Sequence, residues 1–415
     1  MSGIERTTFD NGLTVVSEYM PHVRSVALGA WVRSASVHEP RPLMGVSHLL
    51  EHMVFKGTAR RTALEIALSL ERLGGSLDAY TTREHTAFQA RVLDEHLAQA
   101  ADVVGDLIFR PALRDEDLAL ERKVVLEEIS MVEDTPDDVV FELHNELLWD
   151  RHELGYSILG TRETVGALSG DDLRALHQRA YQPQHIVVSA AGHVEHQALI
   201  ECLTNTGWAS IPRGNAPRAT TNPVPPLVPR QQHVERDTAQ THVVMGGGTL
   251  AYGDPRRYAM TLASVVLGGG MSSRLFQRIR EELGLAYATY TFHSYYASCG
   301  THGVYLATSP TTTLQALDAA RTELADVARH GLTAQEVATG KGQLKGQITL
   351  SLESPSSRLY RAAATELYGE PFRGLDEVLA LIDAITPDDV AGVTREFFDP
   401  DQLTVLTLGP GPRAD

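Results

Sequence analysis

The sequence predicts an α+β protein built from two duplicated domains, each a mostly antiparallel sheet with helices packed on one face. Three observations predict it. First, 415 residues exceed what one hydrophobic core serves, so two domains of roughly 200 residues are expected. Second, Pro, Asn, Thr and Arg crowd between Ile211 and Arg230 with no apolar periodicity, which marks a linker over 211–230 between domains at 1–210 and 231–415. Third, one pattern recurs at a constant offset of 217 positions.

The repeat can be followed element by element. Leu168 to Gly192 reads as a helix with Asp171 and Asp172 in its first turn, then Tyr181-Gln-Pro183, then the strand Ile186 to Gly192. Ile385 to Gly409 repeats it with Asp388 and Asp389, then Phe398-Asp-Pro400, then a strand from Leu403. The same offset pairs Ser25-Val-Ala-Leu-Gly29 with His242-Val-Val-Met-Gly246. Each half opens with β-branched strands, continues with helical stretches such as Leu64 to Leu73 and Asp115 to Val132, and closes with a strand, which is the order of an α+β layer fold.

Composition narrows the function. A formal net charge of -17 argues against a nucleic-acid ligand, because phosphate neutralisation needs clustered Lys and Arg. The two cysteines, Cys202 and Cys299, stand far apart without metal-ligand spacing, which fits a reducing compartment. The N-terminal residues carry no apolar signal core, and no apolar run approaches the ~20 residues of a membrane helix. A cytoplasmic protein with no membrane partner is expected.

One helical stretch carries chemistry. Val46 to Phe55 contains His48-Leu-Leu-Glu51-His52. Residues four apart differ by about 40° of helical rotation, so His48 and His52 share a face one turn apart and can grip one metal ion. Glu51, about 60° from His48 on the other side, suits a base beside the metal better than a third ligand. The motif alone also fits two core-edge histidines satisfied by hydrogen bonds. A catalytic zinc usually has a third protein ligand, and the Asp115 to Asp134 helix offers one. About Glu128, the residues Val124, Val125, Met131 and Val132 fall within about 60°, and Leu118 and Leu120 within about 80°, which sets Glu128 in an apolar, core-facing arc. Glu121 lies within about 20° of it, whereas Glu127 turns about 100° toward Lys123 and Asp134. A carboxylate facing inward is costly unless it is paired or binds a metal.

His48-Leu-Leu-Glu51-His52 followed by Glu121 and Glu128 resembles the inverted zincin motif of the pitrilysin-type metallopeptidases. The likeness covers nearly the whole chain and is greatest to half-length bacterial members and the mitochondrial processing peptidase catalytic subunit. It implies one Zn2+ per chain held by His48, His52 and Glu128, with Glu51 as general base and Glu121 supporting a ligand histidine. It also implies a six-stranded sheet in each domain. At the 217 offset, Val265-Val-Leu-Gly-Gly269 stands where the first half has its motif, so the second domain lacks the metal.

Two further segments bear on substrate. Gly74 to Phe88 reads as a turn and then a strand rich in Thr and aromatics. The resemblance implies that Asp78, Ala79, Tyr80 and Thr81 form an exposed edge that pairs with peptide backbone, although Asp78 replaces the family's usual Asn. Leu267 to Phe276 lacks the Gly-Lys-Ser/Thr ending of a phosphate loop and reads as a turn before a helix. It resembles the family's glycine loop, followed there by an Arg and a Tyr seven apart. Arg280 and Tyr287 match them and are implied to meet the scissile carbonyl and steady the oxyanion. His85, His96, His144, His152, His293 and His302 have no partner at ligand spacing and read as structural or exposed.

The function these features imply is a zinc endopeptidase hydrolysing unfolded peptides or short polypeptides. The expected assembly is a homodimeric chamber, each site completed by the partner's second half; a heterodimer with a related chain is the variant. The rival is a non-catalytic structural or peptide-binding subunit of the same fold, whose members have typically lost part of the motif present here.

Overall fold

A computed structural model describes residues 3–411. The first sheet contains β1 (Ile4–Thr8), β2 (Thr14–Tyr19), β3 (Ser25–Val32), β4 (Ser76–Thr81), β5 (Thr86–Leu93) and β6 (Ile186–Gly192), in the order β1-β2-β6-β3-β5-β4. The second contains β7 (Gln231–Glu235), β8 (Thr241–Thr249), β9 (Ala286–Tyr295), β10 (Gly300–Thr308) and β11 (Thr404–Gly409), in the order β7-β11-β8-β10-β9. The α+β class therefore holds. Both sheets are mixed: β6 runs parallel to β2 and β11 parallel to β7, while the other pairs are antiparallel. Each of these late strands re-enters its sheet after long helical excursions, the connection that a parallel neighbour requires.

The second sheet has five strands, not six. Shifted by 217, the position of β1 falls on residues 221–225, where Pro223 and Pro225 have no N–H to offer a ladder. The duplication is nonetheless visible in detail. Helix Gly170–Ala180 starts with a capping box of Ser169 and Asp172, and helix Pro387–Phe397 with one of Thr386 and Asp389, at the same offset.

Helices cover both faces of each sheet, not one. Behind the first sheet, helix Pro355–Tyr368 packs Leu359, Ala362 and Ala363 on Val16, Ala27, Trp31 and Val187. Behind the second, helix Pro136–Trp149 packs Val140 on Val244, Tyr305, Leu406 and Leu408. The covering helix comes in each case from the opposite half of the sequence. Compactness accordingly divides the chain into one unit of residues up to 130, 156–222 and 351–374, and another of 131–155, 223–350 and 375 onward. Double coverage explains why β3 and β6 are buried almost throughout and carry apolar residues without polar alternation. No described helix is long and apolar enough to cross a membrane.

Candidate metal centre

The nine-residue helix Val46–Val54 turns Val46, Leu49, Leu50, Met53 and Val54 into the core of the first unit. That burial fixes its rotation and leaves His48 and His52 on the other side, with ring centroids 4.6 Å apart and planes at 60°. Glu128 reaches them from helix Asp115–Glu133. Its Oε2 lies 3.7 Å from His48 Nε2 and 3.6 Å from His52 Nε2. These separations are too long for hydrogen bonds, but two ligands of a tetrahedral zinc at ~2.0–2.1 Å lie ~3.3–3.4 Å apart. The three side chains offer ligand atoms all within 4.8 Å of one another, the one such group among the described residues. Glu128 Oε2 and His48 Nδ1 are buried without a hydrogen-bond partner. Two imidazoles, one carboxylate and an orphaned buried oxygen between them fit a zinc ion with a coordination position to spare.

The surrounding groups prepare the donors. Burial, with His52 alongside, pushes His48 down to about 4, so its imidazole is neutral and available to a metal. Burial acts the same way on His52, but the hydrogen bond to Glu121 and the charges of Glu128 and Glu51 outweigh it and raise its pKa. His52 Nδ1 sits 2.9 Å from Glu121 Oε1, which fixes the tautomer: Nδ1–H donates to the carboxylate and Nε2 faces Glu128. Glu121 is 5% exposed, and its other oxygen lies 2.5 Å from Lys56 Nζ. Burial opposes its charge, yet His52 and Lys56 together hold it below the ordinary carboxylate range.

Glu51 is buried beside the pair and accepts a 2.6 Å hydrogen bond from Thr81 Oγ1. Burial raises its pKa in spite of that bond, which moves it toward the range of a base working near neutrality. Thr81 ends β4, the last strand on its side of the sheet. Gly74 to Phe88 is thus not one strand but a hairpin: Thr82 N–H donates to the His85 carbonyl and closes the turn before β5. Alternation turns Thr81 and Ala79 toward the metal helix, and Tyr80 toward Trp31, whose Nε1 donates to the Tyr80 hydroxyl at 3.1 Å. Asp78 shares the Tyr80 side and is exposed.

The arc about Glu128 needs correction. Leu118, Glu121, Val125 and Ile129 are the buried residues of that helix, whereas Leu120, Val124 and Met131 are exposed by 63%, 44% and 69%. Glu128 stands on the border between a core strip and an exposed apolar strip, which a wheel built on residue type alone cannot separate. Arg280 and Tyr287 belong to the second unit. The Arg280 guanidinium lies 4.8 Å from the Phe276 ring centroid and 4.9 Å from that of Tyr287, which is 73% exposed on β9. Arg280 lies within a π-helical segment, Phe276–Glu282, a form found often at functional sites. His144 and His302 are buried in the second unit, the former 3.1 Å from the Thr404 carbonyl oxygen and the latter against Phe398.

Comparison with known proteins places this geometry. The model described as Insulinase (Peptidase family M16) matches residues 14–162, and that described as Peptidase M16 inactive domain matches residues 167–344. An uncharacterized zinc protease of Streptomyces coelicolor is 40% identical over 95% of this chain and 87% of its own length. The chain belongs to peptidase family M16. The zinc protease YmxG of Bacillus subtilis, also named as uncharacterized, is 38% identical over 98% of the chain and 99% of its own length. In fold, this M16 chain superposes on the M16 inactive domain of Pseudomonas fluorescens with a TM-score of 0.93 and 19% identity, covering 100% of both chains. A protease of Helicobacter pylori gives 0.92 and 21%, over 99% and 100%. The M16 peptidase match contains His48, Glu51, His52, Glu121 and Glu128; the inactive-domain match contains Arg280 and Tyr287.

Two residues that bear on the centre are not among those the sequence picked out. Lys56 lies four residues beyond His52, in the turn just past the end of the metal helix, and that i, i+4 spacing is a usable signal. Glu39 accepts from the backbone at the start of the metal helix, a contact with no periodic signature.

Proposed function

We propose that this M16 chain is a cytoplasmic zinc-dependent endopeptidase that hydrolyses unfolded peptides. The observation that carries the reading is the convergence of His48 Nε2, His52 Nε2 and Glu128 Oε2 beside a buried carboxylate, Glu51. Zinc at these ligands supplies Lewis acidity toward water and the scissile carbonyl. Glu51 takes the proton of the attacking water and passes it to the leaving amine. Thr81 restrains one oxygen of Glu51 and leaves the other for the proton. Glu121 keeps His52 in the tautomer that directs Nε2 to the ligand position. The unpaired side of β4 aligns an extended peptide by backbone hydrogen bonds, which tolerates varied side chains. Arg280 and Tyr287 steady the oxyanion, and they do so for a partner chain in a homodimeric chamber.

The test is cleavage of an unfolded peptide by the purified protein, with and without a chelator, beside Glu51→Gln. Cleavage should stop with chelator, return with zinc, and be lost in a variant that still holds zinc. Chelator-resistant cleavage, or full activity in Glu51→Gln, overturns the reading.

A further inference from the structure

Resting on that reading of the metal centre, one buried carboxylate outside it gains a role. The metal helix begins at Gly45, whose φ of 91° no ordinary residue adopts easily and where a Cβ would lie 2.6 Å from the Leu159 carbonyl oxygen. A glycine there has no side chain to cap the helix, so the first-turn N–H groups need an acceptor from elsewhere. Glu39 supplies it: Oε2 accepts from Gly45 N–H at 2.7 Å and Oε1 from Ser47 N–H at 2.8 Å. The carboxylate is 3% exposed, and its own backbone is tied by an N–H bond to the Ser36 carbonyl. Burial pushes the Glu39 carboxyl up to about 7 while hydrogen bonding from Ser47, side chain and amide, and from the Gly45 amide pulls it back. A fold keeps so expensive a group when something depends on its hydrogen bonds.

What depends on them is the start of a nine-residue helix, too short to hold its own geometry in water. Ser47 is followed at once by His48, and Glu51 and His52 ride on the next turn. A shift of the first turn moves His48 relative to His52 and Glu128, whose donor atoms converge within 4.8 Å. We propose that Glu39 is a positioning residue of the metal centre, its bidentate grip on the Gly45 and Ser47 amides setting where His48 presents Nε2. The carboxylate touches neither the metal ligands nor the peptide, and acts through the helix backbone.

The test measures zinc dissociation constants by competition with a chromogenic chelator, together with kcat and KM, for wild type, Glu39→Gln and Glu39→Asp. Leu199→Ala, a core change elsewhere in the same unit, serves as a control for general destabilisation. Glu39→Gln keeps the shape but turns an N–H2 toward one of the amides, and should weaken zinc about 10–100-fold and lower kcat, with KM within about twofold. Glu39→Asp keeps the charge and loses reach, and should fall between Glu39→Gln and wild type. Leu199→Ala should lower the melting temperature and leave zinc affinity in place. If Glu39→Gln does not fold, Glu39→Asp against wild type decides. Zinc affinity unchanged in the folded Glu39 variants, or weakened equally by Leu199→Ala, overturns the proposal alone. A wild type that binds no zinc overturns the functional reading and this inference with it.

Discussion

The two units carry the same scaffold to different ends. In the first, the helix facing the sheet presents His48, Glu51 and His52; at the 217 offset, the second has Val265, Gly268 and Gly269 at the end of helix Arg257–Gly268. Paired capping boxes and matching strand orders show that the second unit builds the same scaffold without the motif. It has no space for it either. A Cβ at Gly268, the counterpart of Glu51, would stand 2.4 Å from the Thr291 backbone nitrogen. The architecture therefore stands without metal residues at that position, which the second unit fills with backbone.

Four substitution experiments press on this contrast. Glu51→Gln should lower kcat by about 10²–10⁴, the usual yield of a positioned general base, with bound zinc retained. A smaller loss would shift the proton transfer to another group. Glu121→Gln replaces the acceptor of the His52 Nδ1–H bond, and zinc affinity should drop about 10–100-fold; equilibrium competition reads it, and unchanged affinity would reduce Glu121 to a partner of Lys56. Mixing inactive Glu51→Gln with inactive Tyr287→Phe asks whether the two units act across chains. If each site joins the metal unit of one chain to the Arg280–Tyr287 pair of the other, randomised dimers regain about one quarter of wild-type activity. Sites completed within one chain regain none. Smallest is Gly268→Ala, which should lower the melting temperature by about 2–10 °C through overpacking while zinc affinity stays at the wild-type value. A neutral Gly268→Ala would show that the second unit still has room.

What was legible in the sequence followed from local periodicity and from repetition. The i, i+4 histidines sit on one helix and on one face, and the constant offset finds strands β3 and β6 again as β8 and β11. Long-range choices were not legible. Nothing local marks helices Pro136–Trp149 and Pro355–Tyr368 as covers for the far faces, since an amphipathic helix does not name its partner. The sixth strand was expected twice because the family resemblance implies six in each domain, and Pro223 and Pro225 deny the second sheet that edge. Leu120, Val124 and Met131 were placed inside for another reason: residue type gives a preference for burial, and the neighbouring elements decide whether it is met. Glu39 was invisible because a capping acceptor six and eight residues upstream has no fixed spacing.

The proposed function makes one demand that activity assays approach only indirectly: zinc is to be held by His48, His52 and Glu128 of the first unit. Zinc content measured after saturation and removal of excess metal, in wild type and in His48→Ala/His52→Ala, tests it. One zinc per chain in wild type and none in the double variant is the predicted result. Zinc retained at the wild-type level in the double variant would contradict it.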